Sequence, residues 1–322
     1  MAEWGNGRGP RDWALVERFL LEDLKDRQRA KRWMWIRRAA FIVLVALLAY
    51  RALSGSVSTE SFGAHTAVIT VDGVIAADAL ANADSLIEAL DSAFNASEAK
   101  AVVLRINSPG GSPVQSDLVY REIRRQRAAH PDTPVYAVID DMGTSGAYYM
   151  AVAADKIFVN PSSLVGSIGV IMPGFGVPEL LEKLGVEDRT LTAGRHKNLL
   201  SPSQPVNVEE RAHVQGVLDA VHRHFIEAVK AGRGERLSVN DETFSGYFWS
   251  GDQAIALGLA DDLGSLHSVA RDVVKAETMV DYTLVPNPVD SVLRRLGALA
   301  GHEFAASMRQ TLGMELAGGR LK

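Results

Sequence analysis

The sequence predicts an α/β domain with a largely parallel sheet, set behind one N-terminal apolar segment. Three observations predict it. Short β-branched runs alternate with amphipathic stretches of helical period from Thr66 to Ala231. Two of those runs, Ala101–Ile106 and Val135–Ile139, lead into turns rich in Gly and Ser. The second turn holds a serine, Ser145, followed at once by an apolar helix-like run through Ala154. Strands joined by helices pair in parallel, because the chain must cross back before the next strand begins.

The elements follow in order. Residues 1–33 form a polar arm of mixed charge, read as a short solvated helix or a disordered segment. Residues 34–53 are read as a single membrane anchor. Its centre, Ala39–Tyr50, is twelve residues without a charge, and extension to 34–53 gives the ~20 residues a span requires. Arg37, Arg38 and Arg51 lie near its ends, where long side chains snorkel, and Trp33, Trp35 and Tyr50 sit at belt positions. A cleaved signal peptide calls for a shorter basic region and a clearer small-x-small site. A buried core helix is disfavoured by the flanking arginines and the polar stretch after them. Eight Lys and Arg lie between Arg18 and Arg38, against Arg51 alone from 51 to 70. That asymmetry predicts a cytoplasmic N-terminus, with the rest of the chain outside.

Residues 54–65 are a linker and 66–277 the main domain. Within it Thr66–Val71, Ala101–Ile106, Val135–Ile139, Lys156–Val159, Ile168–Met172 and Asp188–Thr192 are predicted strands. Asp84–Phe94, Val114–Arg127, Val177–Leu184 and Val208–Ala231 are predicted helices. Residues 278–322 supply a strand at Tyr282–Val285 and an amphipathic tail, Val289–Leu312.

Composition narrows the function. Apolar residues make up 47% and charged residues 23%, an ordinary globular balance, and a net charge of −5 argues against nucleic-acid binding. There is no cysteine, which removes thiol nucleophiles, disulfides and Cys-ligated metals. His222 and His224 are two apart and do not share a helix face, so they read as surface histidines and no metal is expected. No cofactor is expected either.

Ser145 therefore raises one question: what activates it? A serine at a strand-to-helix turn projects its hydroxyl and is followed by backbone N–H groups able to hold an oxyanion. Residues 143–147 approach the G-x-S-x-G elbow but end in alanine. The histidines an α/β-hydrolase would need, His267 or His302, sit in no persuasive loop, and none occurs between His130 and His196. A lysine is the other known base. A free lysine is only ~0.1% neutral near pH 7.4, so a lysine base must be desolvated and partnered by a hydroxyl. Lys197, in a Gly-rich polar loop, fits that role, with Ser162, Ser163 or Ser167 as its hydroxyl partner. Gly146 and the Gly110-Gly111 turn are the natural oxyanion donors.

These residues lie in a series of motifs: NSPGG at 107–111, GTSGAYY at 143–149, GSIGV at 166–170, GRHKN at 194–198 with Ser201-Pro202, WSGDQA at 249–254, and Leu257–Asp261. In this order and spacing, from about Ala67 to Ser265, the sequence resembles the signal peptide peptidase A family, in its short membrane-anchored bacterial form. The resemblance implies a Clp protease/crotonase-like fold of repeated β-β-α units and a Ser/Lys dyad. It implies Ser145 as nucleophile, Lys197, 52 residues on, as general base, Ser167 as the hydroxyl orienting the lysine, and Gly146 with Gly111 or Gly110 as oxyanion donors. It also implies a homo-oligomeric ring in which one chain or two complete the dyad. Its substrates would be signal-peptide remnants and other apolar peptides at the periplasmic face of the inner membrane, with lipid contacted through the anchor. The chain departs from the family at His196, where an aromatic residue is more usual. A crotonase-type acyl-CoA enzyme and a non-catalytic membrane scaffold share the fold. The protease that cleaves stomatin-type proteins shares the motifs.

Overall fold

The computed structural model describes residues 33–45, 47 and 63–284, which fall in two separate units. The first holds the N-terminal stretch. Residues 33–45 and 47 are helical, with exposed apolar side chains such as Trp35, Phe41 and Ile42. Among the described residues no helix is long and apolar enough to cross a membrane. The predicted span, 34–53, runs past the described part of this helix. The tail at 289–312 lies outside the described residues altogether.

The second unit is an α/β domain. Its elements are β1 (His65–Asp72), α1 (Ala83–Phe94), β2 (Ala99–Ser108), α2 (Pro113–Ala129), β3 (Val135–Thr144), α3 (Gly146–Ala151), β4 (Lys156–Val159), β5 (Leu164–Gly166), α4 (Pro178–Lys183), α5 (Val208–Arg233), β6 (Phe248–Ser250), α6 (Gly251–Ala256), β7 (Asp262–Leu263) and β8 (Met279–Asp281). One mixed sheet runs in the order β6-β5-β3-β2-β1-β8, with β4 pairing both β3 and β7. Every pairing is parallel except β5 with β6.

Strands β1 to β3 are mostly buried, as expected for a parallel sheet covered on its faces. Helix α1 begins at Asn82, whose side chain accepts from the Ser85 amide, and lays Leu86, Ala89, Leu90 and Ala93 on the sheet. Helix α2 starts with Pro113 behind the cap Ser112 and buries Val119 and Ile123. Behind the sheet, Asp155 accepts from the Val135 amide and pairs with Arg127. Arg233, 1% exposed, donates to the Gly258 carbonyl and to both carboxylate oxygens of Asp261, fixing the end of α5.

Two expected strands are absent. Ile168–Met172 and Asp188–Thr192 have β-forming residues, but neither pairs with a strand among the described residues, and 171–197 is mostly exposed. The apolar residues of this segment, among them Ile171, Phe175 and Leu191, are not buried within the chain. The last strand lies at Met279–Asp281 rather than 282–285. The next residues stay bound to β1 through the Tyr282 amide on the Val68 carbonyl and the Thr70 amide on Thr283 Oγ1.

Candidate active site

Strand β3 is longer than expected, and its length builds the site. Its first half pairs with β4, over Tyr136–Ile139. Its second half leaves β4 and pairs with β5, Thr144 lying opposite Gly166. On its other side Gly143 lies opposite Ser108 of β2. The C-terminal ends of three neighbouring strands therefore deliver Gly110-Gly111, Ser145-Gly146 and Gly166-Ser167 to one place. The carboxyl ends of parallel strands are where α/β sheets bind ligands.

Ser145 has φ 52° and ψ −126°, an unfavourable backbone for a residue with a Cβ, costing about 1–3 kcal/mol. Ser167 has φ 52° as well. The two turns hold each other. The Ser145 amide donates to the Gly166 carbonyl at 2.8 Å, and the Ser167 amide donates to the Tyr247 carbonyl at 2.8 Å. Ser145 precedes α3 but makes no side-chain cap, so its hydroxyl is not committed to the helix.

Both serines line a cleft of about 430 Å³. Gly111, Gly146, Tyr149, His222 and Phe225 line it too. The backbone approaches closely here. A Cβ on Gly110 would lie 2.6 Å from the Gly146 nitrogen, and one on Gly146 would lie 2.4 Å from Ser116 Oγ and 3.3 Å from the Gly111 nitrogen. Ser116 cannot easily withdraw: it is fully buried, and its hydroxyl donates to the Ser112 carbonyl at 2.9 Å. Side chains at either glycine would obstruct the corner where two backbone N–H groups converge.

The candidate donors differ in availability. The Gly110 amide donates to Ser108 Oγ at 3.1 Å. The amides of Gly111 and Gly146 have no acceptor among the described residues. Of the two expected alternatives, Gly111 thus has the amide left open beside Gly146, while the amide of close-packed Gly110 is already taken.

The three candidate hydroxyls also separate. Ser163 is buried and donates to the Ile139 carbonyl at 3.1 Å and to that of Asp140. Ser162 sits in an exposed turn, its amide on Asn160 Oδ1. Only Ser167 of the three faces the cleft.

Lys197 is not brought into it. It is exposed, in the turn closed by its own amide on the Gly194 carbonyl at 3.1 Å. His196 beside it sits 3.1 Å from Glu210, tying this turn to the start of α5. The single chain therefore assembles Ser145, Gly146, Gly111 and Ser167 at one cleft and holds Lys197 on an exposed arm outside it.

Sequence reasoning missed two wall residues. His222, expected on the surface, lines the cleft, and its Nε2 donates to the Ile168 carbonyl at 2.9 Å, bracing the Ser167 turn from α5. The signal was its position three residues before buried Phe225 on the same helix face. Tyr149 stacks on Phe225 at 4.9 Å and meets Tyr120 edge-on at 5.3 Å. Its hydroxyl donates to Asp117 at 3.0 Å. Burial first, and then that carboxylate, push the Tyr149 hydroxyl above the usual phenol range, so it stays a neutral donor.

Comparison with known proteins places this geometry. The family model described as peptidase family S49 matches residues 127–280. The chain is 46% identical over 182 residues to the Na(+)/H(+) antiporter NhaA of Brucella melitensis biotype 1, covering 56% of this chain and 25% of that one. It is 32% identical over 186 residues to the putative signal peptide peptidase SppA of Enterococcus faecium, covering 58% and 54%. It is 31% identical over 224 residues to the putative protease slr0021 of Synechocystis sp., covering 66% and 76%. The chain thus spans between 25% and 54% of the length of the first three curated relatives it matches.

Proposed function

This chain belongs to peptidase family S49, a serine protease family, and we propose that Ser145 is its nucleophile and Lys197 its general base. The observation that carries the proposal is the convergence of Ser145, Ser167 and the open amides of Gly111 and Gly146 on one cleft. Ser145 Oγ attacks the carbonyl carbon of a peptide bond while its proton passes to the neutral Lys197 amine. The carbonyl oxygen, now negative, is held by the Gly146 and Gly111 N–H groups. Collapse breaks the C–N bond, and the lysine returns the proton to the departing amine. Water, deprotonated by the same lysine, then attacks the ester carbonyl and releases Ser145. Ser167 orients the lysine without charging it.

The exposure of Lys197 supports a dyad completed by a second copy of the chain, in a homo-oligomeric ring. The arm that carries it holds Ile171, at 84% exposure, and Leu191, at 96%, an apolar surface suited to burial against a neighbour. The N-terminal helix, its apolar side chains exposed over 33–45, supports anchoring in the bacterial inner membrane, with the arm before it cytoplasmic and the domain periplasmic. A tethered site near a bilayer suits signal-peptide remnants and other apolar peptides as substrates. The mostly parallel sheet is consistent with the Clp protease/crotonase class of folds.

Hydrolysis of a quenched apolar peptide by the detergent-solubilised protein tests the assignment. Wild type cleaves it, and both Ser145→Ala and Lys197→Ala lose at least about a thousandfold in kcat/KM. Undiminished cleavage by Ser145→Ala would remove the serine from the mechanism.

A further inference from the structure

Beside the serine cleft lies a second cavity of about 460 Å³, between α2 and α5. The two share Pro113, Tyr149 and Val221 as walls, so they are adjoining compartments of one groove. Their chemistry differs. The serine cleft is lined by apolar and neutral polar groups with His222. The second cavity is lined by apolar side chains, buried Ala228 and exposed Leu118 among them, and by four titratable groups beyond Tyr residues: Asp117, Arg121, His224 and Glu227.

Two of those charges compensate each other. Arg121 Nε donates to Asp117 Oδ2 at 2.7 Å, and the other Asp117 oxygen accepts from Tyr149. Glu227 has no ion pair and no hydrogen bond among the described residues. It is an exposed carboxylate at the rim of an apolar cavity whose arginine is already held by Asp117.

We propose that this cavity is a second substrate subsite, that it takes a lysine or arginine side chain of the peptide, and that Glu227 sets the preference. The inference rests on the peptidase reading of Ser145. In an extended peptide, side chains on one face recur every ~6.6 Å, so two of them can enter adjoining compartments of one groove. The methylene stem of a basic residue packs on the apolar lining while its charged head reaches the rim carboxylate. A substrate with a basic residue close to an apolar one meets both compartments. That is the composition at the junction of the basic and apolar regions of a secretory leader.

The test is a positional scan with quenched peptides of one apolar sequence, carrying Gln, Lys or Glu in turn at each position around the cleaved bond. Wild type shows one position at which Lys raises kcat/KM about fivefold over Gln and Glu lowers it, the size of a partly exposed ion pair. The Lys:Gln ratio falls to about one in Glu227→Gln, and Glu becomes the preferred residue in Glu227→Lys. Glu88→Gln, an exposed carboxylate on α1 away from the groove, keeps the wild-type ratio. Equal cleavage of Gln and Lys peptides by wild type at every position would overturn the subsite alone, as would a Lys preference that survives Glu227→Gln. Cleavage of none of the peptides by wild type would overturn the peptidase reading of Ser145 and this proposal with it.

Discussion

The backbone N–H of Ser145 donates to the carbonyl of Gly166 at 2.8 Å, joining the strained turn that carries one serine to the strained turn that carries the other. Neither turn is at ease alone, since Ser145 and Ser167 each hold a positive φ. Pairing of β3 with β5 forces both into place and points them at one cleft. If Ser167 orients the base, Ser167→Ala lowers kcat by about tenfold to a hundredfold with little change in KM and in melting temperature. Steady-state kinetics beside a thermal melt check this; a purely structural role would move the melt and leave kcat nearly intact.

The corner between Gly146 and Gly111 has no room for a methyl group. Gly146→Ala places Cβ against buried Ser116 and beside the Gly111 amide. We expect kcat to fall about 10²- to 10³-fold, the usual loss when an oxyanion donor is displaced. Burst kinetics with an activated ester locate the loss in acylation.

Because Lys197 stands outside the cleft of its own chain, mixing inactive variants is informative. Ser145→Ala and Lys197→Ala proteins, dissociated and reassembled together in equal amounts, regain activity if each site draws its serine and lysine from different chains. Random assembly would restore about a quarter of the sites. No recovery in verified mixed oligomers means that each chain completes its own dyad.

The ion pair at the end of α5 gives a pH signature of stability. Burial raises the Asp261 carboxyl, but Arg233, the Ile157 amide and Arg236 outweigh it and hold the group below its ordinary value. Its folded value thus lies below its unfolded one of ~3.9. The stabilisation is complete above that unfolded value and is lost as pH falls through the folded one. Chemical denaturation of wild type and Asp261→Asn therefore gives a stability difference that shrinks below about pH 4. At neutral pH Arg233→Met destabilises by about 3 kcal/mol, because a largely buried carboxylate loses its nearest cationic partner.

Much of this was legible in the chain itself. Strands β1 to β3 and helices α1, α2 and α5 follow from apolar runs and helical spacing, because each buries its apolar face within the same domain. The place of Ser145 at a strand-to-helix turn was legible, because a buried apolar run passes through glycine and serine into a second apolar run of helical period. The short strands β5 and β6, of three residues each, were not, since only their pairing with neighbours makes them strands. Residues 168–172 and 188–192 failed in the opposite sense: their β-forming side chains find no partner strand within one chain. His222 was misread because its pairing in sequence with His224 hid its place on the Phe225 face of α5. The separation of Lys197 from Ser145 was beyond sequence reading, since 52 residues of spacing say nothing about which copy of the chain a loop reaches.

The central claim is that Ser145 is the nucleophile, and covalent capture tests it most directly. The detergent-solubilised protein is treated with a serine-reactive peptidyl phosphonate, digested and mapped by mass spectrometry. The account predicts one adduct, on the peptide containing Ser145, absent from Ser145→Ala and strongly reduced in Lys197→Ala. An adduct on another serine, or equal labelling of the Ser145→Ala protein, would contradict it.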